Sequence, residues 1–176
     1  MEMFEKVWEL LKHFVENYHV VDFVMVIAVA IWGGMLWVRG ILPAIIRLGK
    51  GLAKRKIAIF AKGDNLASLK NLLTDSGLFK GKNICEIGHD SDIGRAEPAS
   101  VYLVYWPDWA SSYRKILDQK SDGCALVIYA PTSGGKIPDE VMIELDKHRN
   151  AVVVNFRGRL LNDIVTAMIT TGYGVK

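Results

Sequence analysis

The sequence predicts an α/β fold: a five-stranded doubly wound parallel sheet in strand order 2-1-3-4-5, preceded by an N-terminal amphipathic helix and a transmembrane helix. Three observations predict it. From Lys56 onward, short β-branched and apolar runs alternate with segments of helical periodicity, which implies parallel strands joined by right-handed crossovers. Runs such as Ile57–Ala61 and Ala125–Ala130 have little polar alternation, as strands covered on both faces do. Ahead of them, the 19 residues from Val20 to Val38 hold a single charge, Asp22. A chain of 176 residues, 51% apolar, suits one such domain with an appendage. It is too short for a large multidomain enzyme and too apolar for a disordered or collagen-like protein. Two cysteines, Cys85 and Cys124, exclude a disulfide framework and a four-thiolate zinc site.

Residues 1–19 form the amphipathic element. Phe4, Val7, Trp8, Leu11, Phe14, Val15 and Tyr18 recur at helical spacing, with Glu5, Lys6, Glu9, Lys12, His13, Glu16 and Asn17 between them. Residues 20–38 form the span, close to the roughly 20 apolar residues that cross a bilayer core of about 30 Å. Ile41 to Ile46 would extend it if Arg39 snorkels. Ala28-Val29-Ala30 has the small-x-small look of a signal cleavage site, but what precedes it is long and acidic and the apolar run continues, so no cleavage is expected.

The net charge of +3 describes no part of the molecule. Residues 1–22 carry Glu2, Glu5, Glu9, Glu16 and Asp22 against Lys6 and Lys12, a balance of −3. Residues 39–56 carry Arg39, Arg47, Lys50, Lys54, Arg55 and Lys56 with no acid, a balance of +6. The remainder holds 14 acids and 14 bases. The positive-inside rule therefore places the N-terminus outside and the C-terminal domain in the cytoplasm, at the inner (plasma) membrane. The basic linker, residues 39–56, contains Gly40, Pro43, Gly49 and Gly51; Pro43 is expected to kink or end a helix, and the bases to contact anionic lipid.

No glycine or proline separates the first two segments, so one long helix is expected, with a seven-residue register running through it. One position of that register is Phe4, Leu11, Tyr18, Met25 and Trp32; its partner is Trp8, Val15, Asp22, Val29 and Leu36. Such a stripe packs helices together, and Ala30 with Gly34 permits close approach, so a homo-oligomer is expected. Two readings of Asp22 stay open: a ring of carboxylates on a pore seam, or a headgroup-level residue that ends the span.

In residues 57–176 the expected strands are Ile57–Ala61, Asn83–Ile87, Ser100–Trp106, Ala125–Ala130 and Ala151–Phe156. The expected helices are Leu66–Phe79, capped by Asp64 and Asn65, then Trp109–Gln119, Asp139–Lys147 and Leu160–Thr171. Between strands 2 and 3 an irregular stretch holds Asp90, Asp92, Gly94 and Pro98. Ligands of such sheets bind beyond the carboxyl ends of the strands. Strand 1 leads there to Lys62 and Asp64, strand 3 to Asp108, strand 4 to Thr132, Ser133 and Lys136, and strand 5 to Arg157 and Arg159. Bases, glycines and helix N-termini together suit an anion such as a phosphate or nucleotide. Gly135-Lys136 is not a phosphate-loop motif, since the first glycine is missing and Ile137 follows the lysine. No His pair or Cys/His set has metal-ligand spacing, and no cofactor is expected. Cys85 and Cys124 read as core residues, and Tyr102, Tyr105, Trp106 and Trp109 as core packing or as a base-stacking cluster.

This layout resembles the flavodoxin-like group that includes response-regulator receivers and TIR-type domains. The resemblance is topological and covers residues 56–174. It implies an acidic pocket near Asp64, a phosphoacceptor at Asp108 and a switch hydroxyl at Thr132. The chain departs from the receiver pattern: a single acid follows strand 1, Pro107 precedes Asp108, and Arg157 stands where a lysine is expected. A TIR-type NAD hydrolase would need a carboxylate such as Glu86 or Glu97 in the cleft. An apolar span joined to an α/β sensor also resembles, in architecture, small membrane effectors of bacterial anti-phage systems. Three functions follow. The first is an oligomeric effector that senses a nucleotide or oligonucleotide signal, or a partner, and perturbs the membrane. The second is an anchored scaffold that docks a protein partner, and the third an anchored nucleotide or NAD hydrolase.

Overall fold

Helical periodicity at the start of the chain becomes one element. A computed structural model describes residues 2–171, apart from some side chains of the first helix. Residues 172–176, the end of the expected α/β domain, lie outside the described residues. Helix α1 runs Glu2–Lys54 and joins the amphipathic segment, the span and most of the basic block. It does not end at Pro43. A proline removes one backbone donor, and Ala44-Ile45-Ile46-Arg47-Leu48 resumes with residues that tolerate or favour a helix. Residues 39–54 of the basic linker are therefore helical.

The chain divides into two compact units, Met1–Ile45 and Ile46–Lys176. In the first, Val20–Pro43 is 24 residues long and apolar enough to cross a membrane, and none of its most apolar stretch is buried. At 1.5 Å per residue it would reach about 36 Å. It extends beyond the expected end at Val38 and includes Arg39. Met25, Val29 and Trp32 are exposed, as are Asp22, Ala30 and Gly34. The side chains of Leu11, Val15 and Tyr18, also in the register, lie outside the described residues.

In the second unit, strands β1 (Ile57–Phe60), β2 (Ile84–Ile87), β3 (Val101–Tyr105), β4 (Ala125–Tyr129) and β5 (Ala151–Val154) form one sheet in the order β2-β1-β3-β4-β5. All four pairings are parallel; Ile57 pairs with Ile84 and Val101, Val101 with Ala125, and Leu126 with Ala151. Every residue of β1 and β4 is buried, whereas the edge strands β2 and β5 are partly open.

The helices are α2 (Gly63–Asp75), α3 (Trp106–Trp109), α4 (Tyr113–Gln119), α5 (Asp139–Asp146) and α6 (Leu160–Thr170). Alternation along each strand sends residues to two cores. Ile57, Ile59, Val101, Leu103 and Val127 pack with Leu69 and Leu73 of α2 and with Leu160, Ile164 and Met168 of α6. Ala58, Phe60, Tyr102, Val104 and Leu126 pack with Trp106 and Trp109 of α3, Ile116 of α4, and Val141 and Leu145 of α5. Between β2 and β3 the crossover is a 3-10 helix, Asp90–Ala96, that buries Ile93 and Ala96 in this second core.

Three expectations are corrected here. Helix α2 begins at Gly63, with Lys62 in the cap position and no side-chain cap bond, so Asp64 lies in the first turn instead of capping. The expected helix Trp109–Gln119 is split, because Pro107 starts a short turn of its own, a position proline favours. Arg55 belongs to the fold rather than to a lipid-facing collar: its guanidinium donates to the carbonyls of Met168 and, at 2.6 Å, Thr171, where α6 leaves carbonyls unpaired.

Candidate functional site

The chain reverses its direction of winding between β1 and β3, so the crevice that binds ligands in such sheets opens between Lys62-Gly63 and Trp106–Asp108. Asp108 occupies it. Its Oδ2 accepts the Lys62 backbone N–H at 2.7 Å, and both its oxygens accept from Asn65 Nδ2 at 3.3–3.4 Å. A remote carboxylate thereby supplies the acceptor that α2 lacks locally, at the end of the helix where negative charge is stabilised. The Lys62 ammonium lies 5.3 Å from the centroid of the buried Trp109 ring. Trp109 in turn meets Phe60 edge-on at 5.4 Å.

Beside this, at the end of β2, Asp90 Oδ2 accepts from Ser112 Oγ and Lys115 Nζ, each at 2.8 Å. The hydrogen bond from Lys115, then that from Ser112, holds the Asp90 carboxyl below the ordinary aspartate value. Asp90, Asn65, Ser112 and Lys115 were not anticipated as site residues. Asp90 stands three residues beyond Ile87, the last residue of β2, which is the signal that places it on the rim.

The four rim bases are each turned to a separate partner. Lys62 covers Trp109. Lys136 pairs with Asp139 at 2.7 Å and Arg159 reaches Asp163 at 3.9 Å. Arg157 donates to the Ser68 carbonyl at 3.0 Å and its hydroxyl at 2.9 Å, which ties the end of β5 to α2. Asp64 and Ser133 are exposed. Thr132 and Lys136 line a depression of about 270 Å³ at the carboxyl ends of β4 and β5, with Ala130, Ile137, Met142, Val153 and Asn155. Its walls are mainly apolar, and of the predicted ligand residues only Thr132 and Lys136 lie on it. The loop above it is packed closely: a Cβ on Gly134 would fall 2.5 Å from Pro107 Cγ.

The other singled-out residues stand away from this rim. Glu86 pairs with Lys70 across β2 and α2 at 2.7 Å. Glu97 lines a depression with Ser100, Gly123 and Cys124, at the amino ends of the strands and so opposite the cleft. Cys124 is buried and its thiol is pushed up to about 12 by that burial; Cys85 is only partly buried. Burial likewise pushes the Tyr102 phenol up to about 12, as befits a core residue. Among the described residues no group of His, Cys, Asp and Glu could hold a metal ion.

No family model, curated protein or solved structure matches this chain.

Proposed function

We propose that this chain is a single-span membrane effector. Its flavodoxin-like α/β domain lies on the cytoplasmic side of the plasma membrane and binds a partner or anionic signal, and its helix answers by self-association and perturbation of the bilayer. The observation that carries the reading is the apolar stretch Val20–Pro43, whose most apolar part is unburied among the described residues, with a balance of −3 over residues 1–22 and of +6 over residues 39–56. Lipid or copies of the same helix supply the missing cover. Asp22, exposed on that helix, then joins the seam with Met25, Val29 and Trp32. An architecture of this kind suits an anti-phage defence protein, and a nucleotide-like signal would be met at the strand-end rim.

A second reading, a membrane-anchored docking scaffold, is favoured by the local engagement of the rim bases and by Asp108 filling the switch-point crevice. One experiment separates the two. The detergent-solubilised chain is weighed by light scattering and then reconstituted in vesicles for an ion-flux assay. A discrete oligomer with flux that falls in Asp22→Ala supports the effector. A monomer without flux overturns it and leaves the scaffold.

A further inference from the structure

The two edges of the sheet are built differently. Edge strand β2 reads Ile84-Cys85-Glu86-Ile87, follows Lys80 and Lys82, and holds Glu86 in an ion pair with Lys70. Charges at an edge are a recurrent defence against pairing with another strand. Edge strand β5 has none. From Ala151 to Phe156 it reads Ala-Val-Val-Val-Asn-Phe. Asn150 and Val154 give their carbonyls to Leu126 of β4 and to Ala130 just beyond its end. The alternation of a parallel strand then directs the N–H and C=O groups of Ala151 and Val153 outward, to the open edge.

The flanks of this edge are apolar as well. Val152 is 39% exposed and Phe156 67%. On the α5 side, Met142 and Ile143 are exposed, and two adjoining depressions of about 270 and 530 Å³ share Met142 and Val153 as walls. Among the described residues this edge is unpaired, and an unpaired edge beside a mainly apolar trough, walled also by Asp146, is a surface on which an extended peptide adds as a further strand.

Charge identifies the occupant. From Lys147 to Arg159 the chain has four Lys and Arg residues and His148; Asp146, on the wall of the larger depression, precedes them and Asp163 pairs with Arg159, which leaves a basic excess along the edge. Lys147, His148 and Arg149 are exposed where the strand begins. A second copy pairing here would set bases on bases, Arg149 against Arg157 in the antiparallel sense and like on like in the parallel sense. We infer that β5 docks an extended segment of a partner protein, with a core of alternating apolar residues and with acidic residues that meet Lys147, His148 and Arg149. The inference gives the docking reading its partner class and rests on it; it requires neither oligomerisation nor flux.

The test uses the full chain in detergent micelles and four synthetic decapeptides. Three share a Val-Thr-Val-Thr-Val core and end in Glu-Glu, Lys-Lys or Gly-Ser; the fourth is the Glu-Glu peptide with proline at its centre. Fluorescence anisotropy should detect the Glu-Glu peptide binding more tightly than the other three, and more weakly as salt rises. Its binding should slow amide exchange at Ala151 and Val153 while leaving Val152 and Val154 unchanged. Lys147→Glu and Arg149→Glu should each weaken binding by roughly two- to fivefold, as exposed charge pairs do. Val153→Pro removes an outward donor at a position that tolerates proline and should abolish binding. Equal binding of the acidic and basic peptides, no exchange protection at Ala151 and Val153, or a dimer that Val153→Pro dissolves would each overturn the inference. Failure here removes the partner class assigned to β5 alone, because mass and flux separate the effector from the docking scaffold independently of this edge.

Discussion

Replacing Asp108 distinguishes a structural carboxylate from a chemical one. The Lys62 N–H bond to Oδ2, at 2.7 Å, is charge-assisted, and Asn65 adds longer contacts of 3.3–3.4 Å. Hydrogen bonds to charged groups contribute about 1.5–3 kcal/mol, and a carboxylate at a helix N-terminus about 0.3–1 kcal/mol. Asp108 is only partly buried, so the lower part of that range applies, and Asp108→Ala should cost about 1.5–2 kcal/mol. For a domain of this size that is a fall in Tm of about 5–10 °C. Asp108→Asn keeps an oxygen for the Lys62 N–H and loses only the charge, so it should cost about 0.5–1 kcal/mol. Urea unfolding of the full chain in mild detergent, followed by near-UV circular dichroism, measures both. Faster exchange of the Lys62 amide in the alanine variant localises the effect. An alanine variant as stable as the parent, or an asparagine variant as damaged as alanine, would refute the capping role. Because its oxygens are already engaged, Asp108 should also stay unmodified when the chain is incubated with acetyl phosphate. A phosphorylated Asp108 would return it to chemistry.

Two further perturbations probe the same rim. Gly134→Ala sets a methyl group 2.5 Å from Pro107 Cγ and 3.3 Å from Pro131 Cγ, and ring carbons cannot swing aside. The overpacking should cost about 1–3 kcal/mol in the same urea assay, whereas Gly123→Ala, with open space around it, should be close to neutral. The Asp90 carboxyl is held below its ordinary value by hydrogen bonds from Lys115 and Ser112, so its folded pKa lies below its unfolded one. Its contribution to stability is therefore present above about pH 4 and is lost as pH falls through the folded value. In Lys115→Met the Asp90 carboxyl should titrate at higher pH by carbon-detected NMR; an unchanged titration would show that these contacts do not hold it.

The sheet was legible because its central strands are apolar on both faces. Ile57–Phe60 and Ala125–Tyr129 read as covered strands, and their alternation with helices implies parallel pairing, while the order 2-1-3-4-5 came from the likeness to flavodoxin-like sheets. Boundaries were less legible. Pro107 ends a strand by propensity, but it also opens a helical turn, and local spacing does not separate the two. The start of α2 was misread for a different reason. Asp64 and Asn65 have the composition of a cap, yet the acceptor comes from Asp108, 46 residues on from Lys62, and no local pattern reveals a partner brought by the fold.

The rim bases divide in the same way. Lys136 with Asp139 and Arg159 with Asp163 are i,i+3 and i,i+4 pairs, visible in the sequence as opposite charges one helical turn apart. Lys62 over Trp109 and Arg157 on Ser68 are visible only once β1, β3, β5 and α2 are in place. Position on a rim follows from topology, but availability depends on which neighbours the side chain meets. With Asp108 in the switch-point crevice and four bases engaged, the open part of this domain lies at the β4–β5 end, where Thr132, Lys136 and Asn155 border an apolar depression continuous with the β5 edge. That edge was not singled out in the sequence, because which strands lie outermost is known only from the pairing order. One outer strand carries Glu86 and follows Lys80 and Lys82, and the other runs from Ala151 to Phe156 without a charge, with Lys147 and Arg149 before it and Arg157 and Arg159 after it. A bare edge carries a risk of pairing with another strand that a charged one does not. The peptide-binding test of β5 and the replacement of Asp108 therefore probe opposite ends of the same sheet rim.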